Sequence, residues 1–330
     1  MRVSYKYCHI GGTIMAHIKQ FANLHNHSTH SDGVYAPDEI VAIAKKEGFG
    51  AFAVTDHDTV TACEPTRIAC EKLGLEWIFG AEFTSPCSSL NTAFHIVGFD
   101  FDPDYPKMKQ YLESLSLRQT FETKFLFDLA VSEGSIKGIS WEEILKYNDG
   151  ITWLCNEHVF RAMKDNGLIS DAEYPNWFAT LFRDRRRIVP SNPYSFMQAE
   201  DTVKLINDAG GMAIVAHPAK QLHLIEQLMK MGIVGLECWH ADLRCVNQEL
   251  DALKVAKKYD LFVSGGEDHS GLCGGQYDRF EEPEKCQFYA AEQTLGTAEC
   301  FFHELKSGKK TSDRAELLEY YIELQSRCGK

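Results

Sequence analysis

Phe21-Ala-Asn-Leu-His25-Asn-His27-Ser-Thr-His-Ser-Asp32-Gly33 is the stretch from which the fold is read. A short apolar run ends in two histidines one residue apart, and an Asp-Gly turn follows. In an extended strand, residues i and i+2 share a face. His25 and His27 can therefore aim two imidazoles at one point. Imidazole is a ligand for zinc, iron, copper or nickel, and Asp32 adds an anionic oxygen from the loop. Chance also produces bare His-x-His patterns, so the rest of the chain decides.

Moving outward, Pro37 to Gly48 carries the marks of a helix. It has Pro at the first position, acids in the first turn, lysines late and Gly at the end. Gly50-Ala-Phe-Ala-Val54 reads as a buried strand that delivers Thr55-Asp56-His57-Asp58 at its end. A helix over Pro65–Leu73 precedes the apolar run Leu75–Phe79, which leads into Gly80-Ala-Glu82. Phe94-His95-Ile-Val-Gly98-Phe99 is a further strand. Strands alternating with helices, with polar residues at strand ends, predict a parallel sheet or barrel. In such folds chemistry gathers at the carboxyl ends of the strands.

The alternation stops near Asp104. Residues 105–190 read as helices only: Tyr111–Val131 is amphipathic, Ser140-Trp-Glu-Glu143 is a capping box, and Asn156–Asp165 is a third helix. This stretch is the richer in base, with Arg118, Lys124, Arg161, Arg183, Arg185, Arg186 and Arg187. From Ala199 the pattern resumes. Met212–Ala216 ends in His217-Pro218, Val234-Gly-Leu-Glu237-Cys follows, and Leu261–Ser264 runs into Gly265-Gly-Glu267-Asp268-His269. Ser312–Gln325 reads as a closing helix. The expected organisation is a flexible leader over 1–20 (with Met15 an equal candidate start), a discontinuous barrel over 21–104 and 191–310, a helical insertion capping the substrate over 105–190, and a C-terminal helix over 311–330.

Composition bounds the function. The 330 residues are 44% hydrophobic and 25% charged, an ordinary globular mixture, with a net charge of -13. Such a balance argues against a general nucleic-acid face, which must be basic, while leaving room for a local phosphate pocket. No run approaches the ~18 apolar residues of a membrane span. The 11 cysteines form no CxxC pair, which fits free thiols in a reducing cytoplasm.

His25, His27, Asp32, His57, Glu82, His95, His217 and Asp268, with Glu267 or His269, exceed the roughly four ligands of one tetrahedral metal. Two or three divalent ions are implied, with Glu82 a natural bridge. The nitrogen and oxygen donors suit Mn, Fe or Zn. His30, His158, His223 and His240 read as surface or pocket residues. Glu237, at a strand end, reads equally as catalytic or as holding a loop.

His25-Asn-His27…Ser31-Asp32-Gly33, Thr55-Asp-His57-Asp, Gly80-Ala-Glu82, His95-Ile-Val-Gly98, Ala216-His217-Pro218 and Gly266-Glu-Asp268-His269 together resemble the PHP (polymerase and histidinol phosphatase) family. The likeness is to its stand-alone phosphoesterases, such as nucleoside monophosphate or nucleotide bisphosphate phosphatases. It implies a distorted (β/α)7, TIM-like barrel with a trinuclear site. His25, His27 and Asp268 would hold one ion, Asp32 and His57 a second, His95 and His217 a third, and Glu82 would bridge. The family ending is Ser-Asp-x-His, whereas here Gly266-Glu-Asp268-His269-Ser270 leaves Glu267, Asp268 and His269 as competing completions, Asp268 being favoured. The family's substrate arginines are also incomplete: Arg118 has no arginine three residues on, and Asn156-Glu-His158 keeps only the histidine.

The expected activity is hydrolysis of a small phosphate ester, a nucleotide or sugar phosphate, cyclic or bisphosphate forms included. Asp32 and Glu82 are the catalytic carboxylates. His269 or His158 protonates the leaving oxygen, and Arg118, His158, Arg161 and Arg186 hold the substrate. The expected partner is that small phosphorylated molecule, with neither membrane nor extended nucleic acid. One alternative is an exonuclease acting on oligonucleotide ends, and another is an inactive metal-binding module.

Overall fold

The computed structural model describes residues 5–10, 13–268 and 295–328. Two sheets face each other. The smaller is parallel, in the order β3 (Ala22–Asn23), β4 (Ala51–Phe52), β5 (Glu76–Trp77). The larger has the order β10-β9-β8-β7-β6, built from β6 (Gly80–Cys87), β7 (Thr92–Phe99), β8 (Met212–Val215), β9 (Gly235–Trp239) and β10 (Phe262–Gly265). Helices make the crossovers: α1 (Pro37–Glu47) between β3 and β4, and α2 (Cys63–Leu73) between β4 and β5. The termini are chemically specified. Gly48 caps α1 in the left-handed conformation at φ 98, returning its N–H to Ala44 O and Lys45 O.

Isolated backbone bonds join the two sheets instead of a continuous ladder. Leu24 N–H donates to Gly265 O at 3.3 Å on one side, and His57 bridges Glu82 on the other. Between the sheets lies an apolar cluster that takes Leu24, Ala51 and Ala53 from one and Val97, Phe99, Ile214 and Phe262 from the other. The polar ligand-type residues stand at one end of this cluster.

The all-parallel expectation fails at one strand. β7 is antiparallel to both β6 and β8. Only Ser88–Leu90 and a left-handed Asn91 separate β6 from β7, and so short a link can make only a hairpin. A parallel crossover needs a dozen residues or more. Glu82 likewise sits near the start of β6, not at the end of the preceding strand, because the chain bends between sheets after β5.

Helices α3 (Pro106–Ser132), α4 (Trp141–Tyr147), α5 (Asn156–Asp165) and α6 (Tyr174–Leu181) lie between β7 and β8. They share an apolar cluster of their own that includes Phe127, Trp141, Phe160 and Trp177. The Ser140 capping box is formed: its Oγ accepts from Glu143 N–H, and the Glu143 carboxylate accepts from Ser140 N–H at 2.7 Å. Later come α7 (Ala199–Asp208), α8 (Ile225–Met231), α9 (Ala241–Cys245), α10 (Glu249–Tyr259), α11 (Glu299–Ser307) and α12 (Arg314–Cys328). Within the stretch read as a leader, β1 (Tyr5–Ile10) and β2 (Thr13–Ile18) pair as an antiparallel hairpin. No described helix is long and apolar enough to cross a membrane.

One glycine sets the position of the site. A Cβ on Gly266 would lie 2.3 Å from His25 N and 2.5 Å from its Cβ. Gly266→Ala must therefore push the β10 loop off the His25 strand. It is expected to destabilise the protein by about 1–3 kcal/mol or more, in line with overpacked cores. Urea denaturation measures this, and an unchanged midpoint would remove Gly266 from the account.

Candidate metal centre

The β3 extension works as the opening stretch implies. His25 and His27 turn the same way, into the end of the space between the sheets, and both are fully buried. Asn23 fixes the facing loop. Its amide donates to Glu267 Oε2 at 2.9 Å, and its Oδ1 accepts from Glu267 N–H at 3.0 Å. Asp268, left-handed at φ 50, donates its N–H to His25 O at 2.9 Å. Glu267 is thereby turned to Asn23, and Asp268 faces the histidines. His269 lies outside the described residues.

The loop carrying Asp32 is tied down from below. Asp56 accepts from Ser28 N–H and Ser28 Oγ at 2.7 Å each, and from Ser31 Oγ at 2.5 Å. Asp58 has the same role for the His57 segment, accepting from Thr84 N–H at 2.9 Å and Thr84 Oγ1 at 3.0 Å. Burial pushes the Asp58 carboxyl up to about 7 against the pull of those hydrogen bonds.

Glu82 is the centre of the cluster. Its Oε2 lies 3.0 Å from His57 Nδ1, 3.3 Å from His25 Nε2 and 3.4 Å from His27 Nε2. Its Oε1 lies 2.9 Å from His95 Nδ1 and 3.1 Å from His217 Nε2. Asp268 Oδ1 approaches His27 Nε2 at 3.1 Å. Asp32 stands further out, 3.8 Å from His27 Nδ1 and 3.9 Å from His57 Nε2. Six of the other seven favoured ligands thus meet around or beside Glu82, and Asp32 closes the rim.

A cation fits this arrangement for a reason internal to the chain. Glu82 Oε2, His25 Nε2, both ring nitrogens of His27 and His57 Nδ1 are buried and make no hydrogen bond. Unsatisfied buried polar atoms are costly and rare. Here they converge, and the triads His25–His27–Glu82, His27–Asp32–His57 and His57–Glu82–His95 each bring ligand atoms within 4.8 Å of one another. All the donors are nitrogen or oxygen, which suits borderline divalent ions. Cys155, whose Sγ lies 3.7 Å from Ser31 O, is buried against His158.

Electrostatics agree. Burial would lower His25, yet Glu237 and Glu82 outweigh it and hold this imidazole well above its ordinary range. His27 rises to about 9, where burial is overcome by Asp268, Asp32 and Glu82. Burial takes His57 the other way, to about 3. Glu82 and Asp268 lie well below the usual carboxylate range, since the surrounding histidines outweigh burial. With no ion bound, protons stand where positive charge is required.

A PHP-domain family model matches residues 23–182. The PHP domain is assigned to those residues. Three relatives extend the similarity across most of the chain. A 5'-3' exoribonuclease of Haemophilus influenzae is 29% identical over 264 residues, covering 76% of this chain and 90% of that protein. A phosphoribosyl 1,2-cyclic phosphate 1,2-diphosphodiesterase of Eggerthella lenta is 26% identical, covering 76% and 95%. A 3',5'-nucleoside bisphosphate phosphatase of Chromobacterium violaceum is 27% identical, covering 77% and 89%. Among solved structures, a protein from Bifidobacterium adolescentis assigned as a metal-dependent phosphoesterase superposes with a TM-score of 0.66 at 22% identity, covering 89% of this chain and 98% of its own. That last likeness carries the fold.

Within the PHP domain, two expected substrate residues do other work. His158 is fully buried: its Nδ1 accepts from Cys155 N–H at 3.1 Å, and its Nε2 donates to Thr29 O at 3.0 Å. Burial and Arg161 hold it well below the ordinary histidine range, so the ring is neutral and its one proton is committed to Thr29 O. Arg161 is spent on the same loop, donating to the carbonyls of Gly33, Thr29 and Ser31. Both residues brace the Asp32 loop. Periodicity marks their helix but does not say what faces it.

Arg118 and Arg186 do reach the site. They line a cavity of 670 Å³ that opens onto Asp32, His57 and His95, with Trp153 on its wall. Arg118 pairs with Glu122 at 2.6 Å, donates to Tyr194 O at 2.8 Å and stacks over Phe196 at 4.3 Å. Arg183, read only as part of a basic run, joins them.

Two more residues belong to the centre. Glu237 accepts from His25 Nδ1–H at 2.8 Å and from His217 N–H at 2.6 Å. It thereby fixes the His25 tautomer and holds the His217 backbone at its strained φ of 28. His240 is fully buried, its ring centre 5.4 Å from that of His25 and 5.1 Å from that of His217. The signal for Glu237 was its place at the end of the expected strand, although β9 runs on to Trp239 and leaves it in the middle. His240 follows the same strand one residue beyond its end, and nothing in its spacing marks it.

Proposed function

We propose that this chain is a metal-dependent phosphoesterase that hydrolyses a small phosphate ester, with two or three divalent ions of the Mn, Fe or Zn type held by His25, His27, Asp32, His57, Glu82, His95, His217 and Asp268. The convergence of unpartnered lone pairs on Glu82 carries this reading. Ions held there supply an acidified water and charge neutralisation at phosphorus. The chain's own side chains do the rest. Glu237 keeps His25 in the tautomer whose Nε2 faces Glu82. Arg118, Arg183 and Arg186 offer guanidinium donors for phosphate oxygens at the cavity wall. Trp153, with its ring 6.4 Å from that of His57, shields one side from water. The helices of 106–188 serve as the substrate cap, and the two sheets act as the walls of a distorted barrel.

Metal analysis with phosphate release from mono-, cyclic and bisphosphates tests the proposal. A metal-loaded protein inert on all three would overturn it. The exonuclease reading is favoured by relatives named as exoribonucleases. It competes with the net charge of -13. Comparing turnover of a mononucleotide with that of an oligonucleotide decides between them.

Arg118→Ala is expected to lower kcat/KM by about 10–100-fold, the worth of a hydrogen bond to a charged group, mostly through KM. Steady-state kinetics on the preferred ester measure it. An unchanged KM would place phosphate elsewhere.

A further inference from the structure

His240 closes β9 and caps α9. Its Nδ1 accepts from Asp242 N–H at 3.1 Å. That bond needs a lone pair on Nδ1, so the ring's single proton sits on Nε2; a ring protonated on both nitrogens is excluded by the same contact. Nε2 is buried and makes no hydrogen bond. It faces two carboxylates, Asp268 Oδ2 at 3.7 Å and Glu237 Oε2 at 4.0 Å. Glu237 already accepts from His25 and from the His217 backbone. Asp268 splits its oxygens: Oδ1 lies 3.1 Å from His27 Nε2, and Oδ2 points to His240.

We propose that His240 is a positioning residue of the metal centre, donating its Nε2–H to Asp268 Oδ2 so that Oδ1 alone is presented to the cation. A movement of under about 1 Å by Asp268 makes the hydrogen bond. The tautomer set by Asp242 also bars His240 from being a ligand through Nε2, although His25, Glu237 and His240 by themselves look like a fourth triad. The inference rests on the metal reading of the site.

The test uses the full chain in five forms: native, His240→Phe, His240→Gln, Asp268→Asn and the double variant that combines Asp268→Asn with His240→Phe. Ions per chain at saturating Mn(II) and the Mn(II) dissociation constant are measured without substrate. His240→Phe should keep the native stoichiometry and bind about 10–100-fold more weakly, the usual cost of losing a partner behind a ligand. His240→Gln, which keeps an N–H donor, should recover most of that loss. In the Asp268→Asn background, His240→Phe should add little. Losing one whole ion in His240→Phe would make His240 a ligand and overturn the proposal. So would native affinity in His240→Phe, or Gln behaving no better than Phe. Nitrogen-15 spectra of the native protein give a readout independent of variant folding, and a proton on Nδ1 of His240 would refute the proposal. If the native chain binds no ion, the metal reading itself falls.

Discussion

Glu82→Ala is expected to empty the centre and to lower phosphate release by about a thousandfold or more. The position is fully buried, and its two oxygens touch five histidines contributed by the His25 strand, the His57 segment, β7 and the loop after β8. Among the described residues, no other carboxylate of the cluster reaches both sides. Asp268 meets His27 and His25, and Asp32 only skirts His27 and His57. Removing Glu82 therefore deletes the carboxylate that all five histidines approach, the group that would be shared by ions held there. The effect should exceed the 10–100-fold typical of losing an outer partner of a ligand. Glu82→Gln separates charge from shape, because it keeps the volume and one oxygen. Without metal, that variant should also be less stable by about 3–5 kcal/mol, the cost of breaking a buried charge pair. Metal content, phosphate release and urea denaturation check the three parts. Full metal content and native turnover in Glu82→Ala would remove Glu82 from the centre and leave the ligand set without its bridge.

What the sequence disclosed follows from which interactions are local. His25 and His27 share a face because strand geometry has period two, and nothing distant is needed to see it. α1 and α5 end where their caps lie, and the Ser140 box is complete within four residues. Antiparallel β7 was not legible, because its direction depends on the hairpin length and not on its apolar content. The two roles of α5 were also hidden. Its histidine and arginine look like phosphate ligands by type, yet both point at the carbonyls of the 29–33 loop, a contact across more than a hundred residues. Glu267 and Asp268 are adjacent and chemically alike. The reciprocal pair of hydrogen bonds with Asn23 turns the first aside, and the second faces the cluster.

Metal loading is expected to release protons at neutral pH, and removing the metal to make stability fall as pH rises. In the metal-free chain His27 titrates at about 9 and His25 also stands well above its ordinary range. Both are protonated at pH 7, yet a cation needs their lone pairs. Each proton displaced makes affinity rise tenfold per pH unit, so tight binding sets in between about pH 7 and 9. His57, at about 3, has no proton to lose in that window. The sign for stability is fixed by the same shifts. A histidine raised on folding stabilises fully below its unfolded value near 6.5 and loses that contribution as pH climbs through its folded value. Asp58, raised to about 7, acts in the same direction at lower pH. Glu82 and Asp268, both lowered, contribute only above the carboxylate range and are lost in acid. The metal-free melting temperature should therefore peak near pH 5–6.5 and decline toward 9, whereas with Mn(II) bound it should hold level or rise, because the cation takes over the charge that the protons supplied. Calorimetric titration in buffers of different ionisation enthalpy counts the protons, and thermal melts with and without chelator trace the two curves. Zero protons released at pH 7, together with parallel melting curves, would mean that these imidazoles do not face a cation at all.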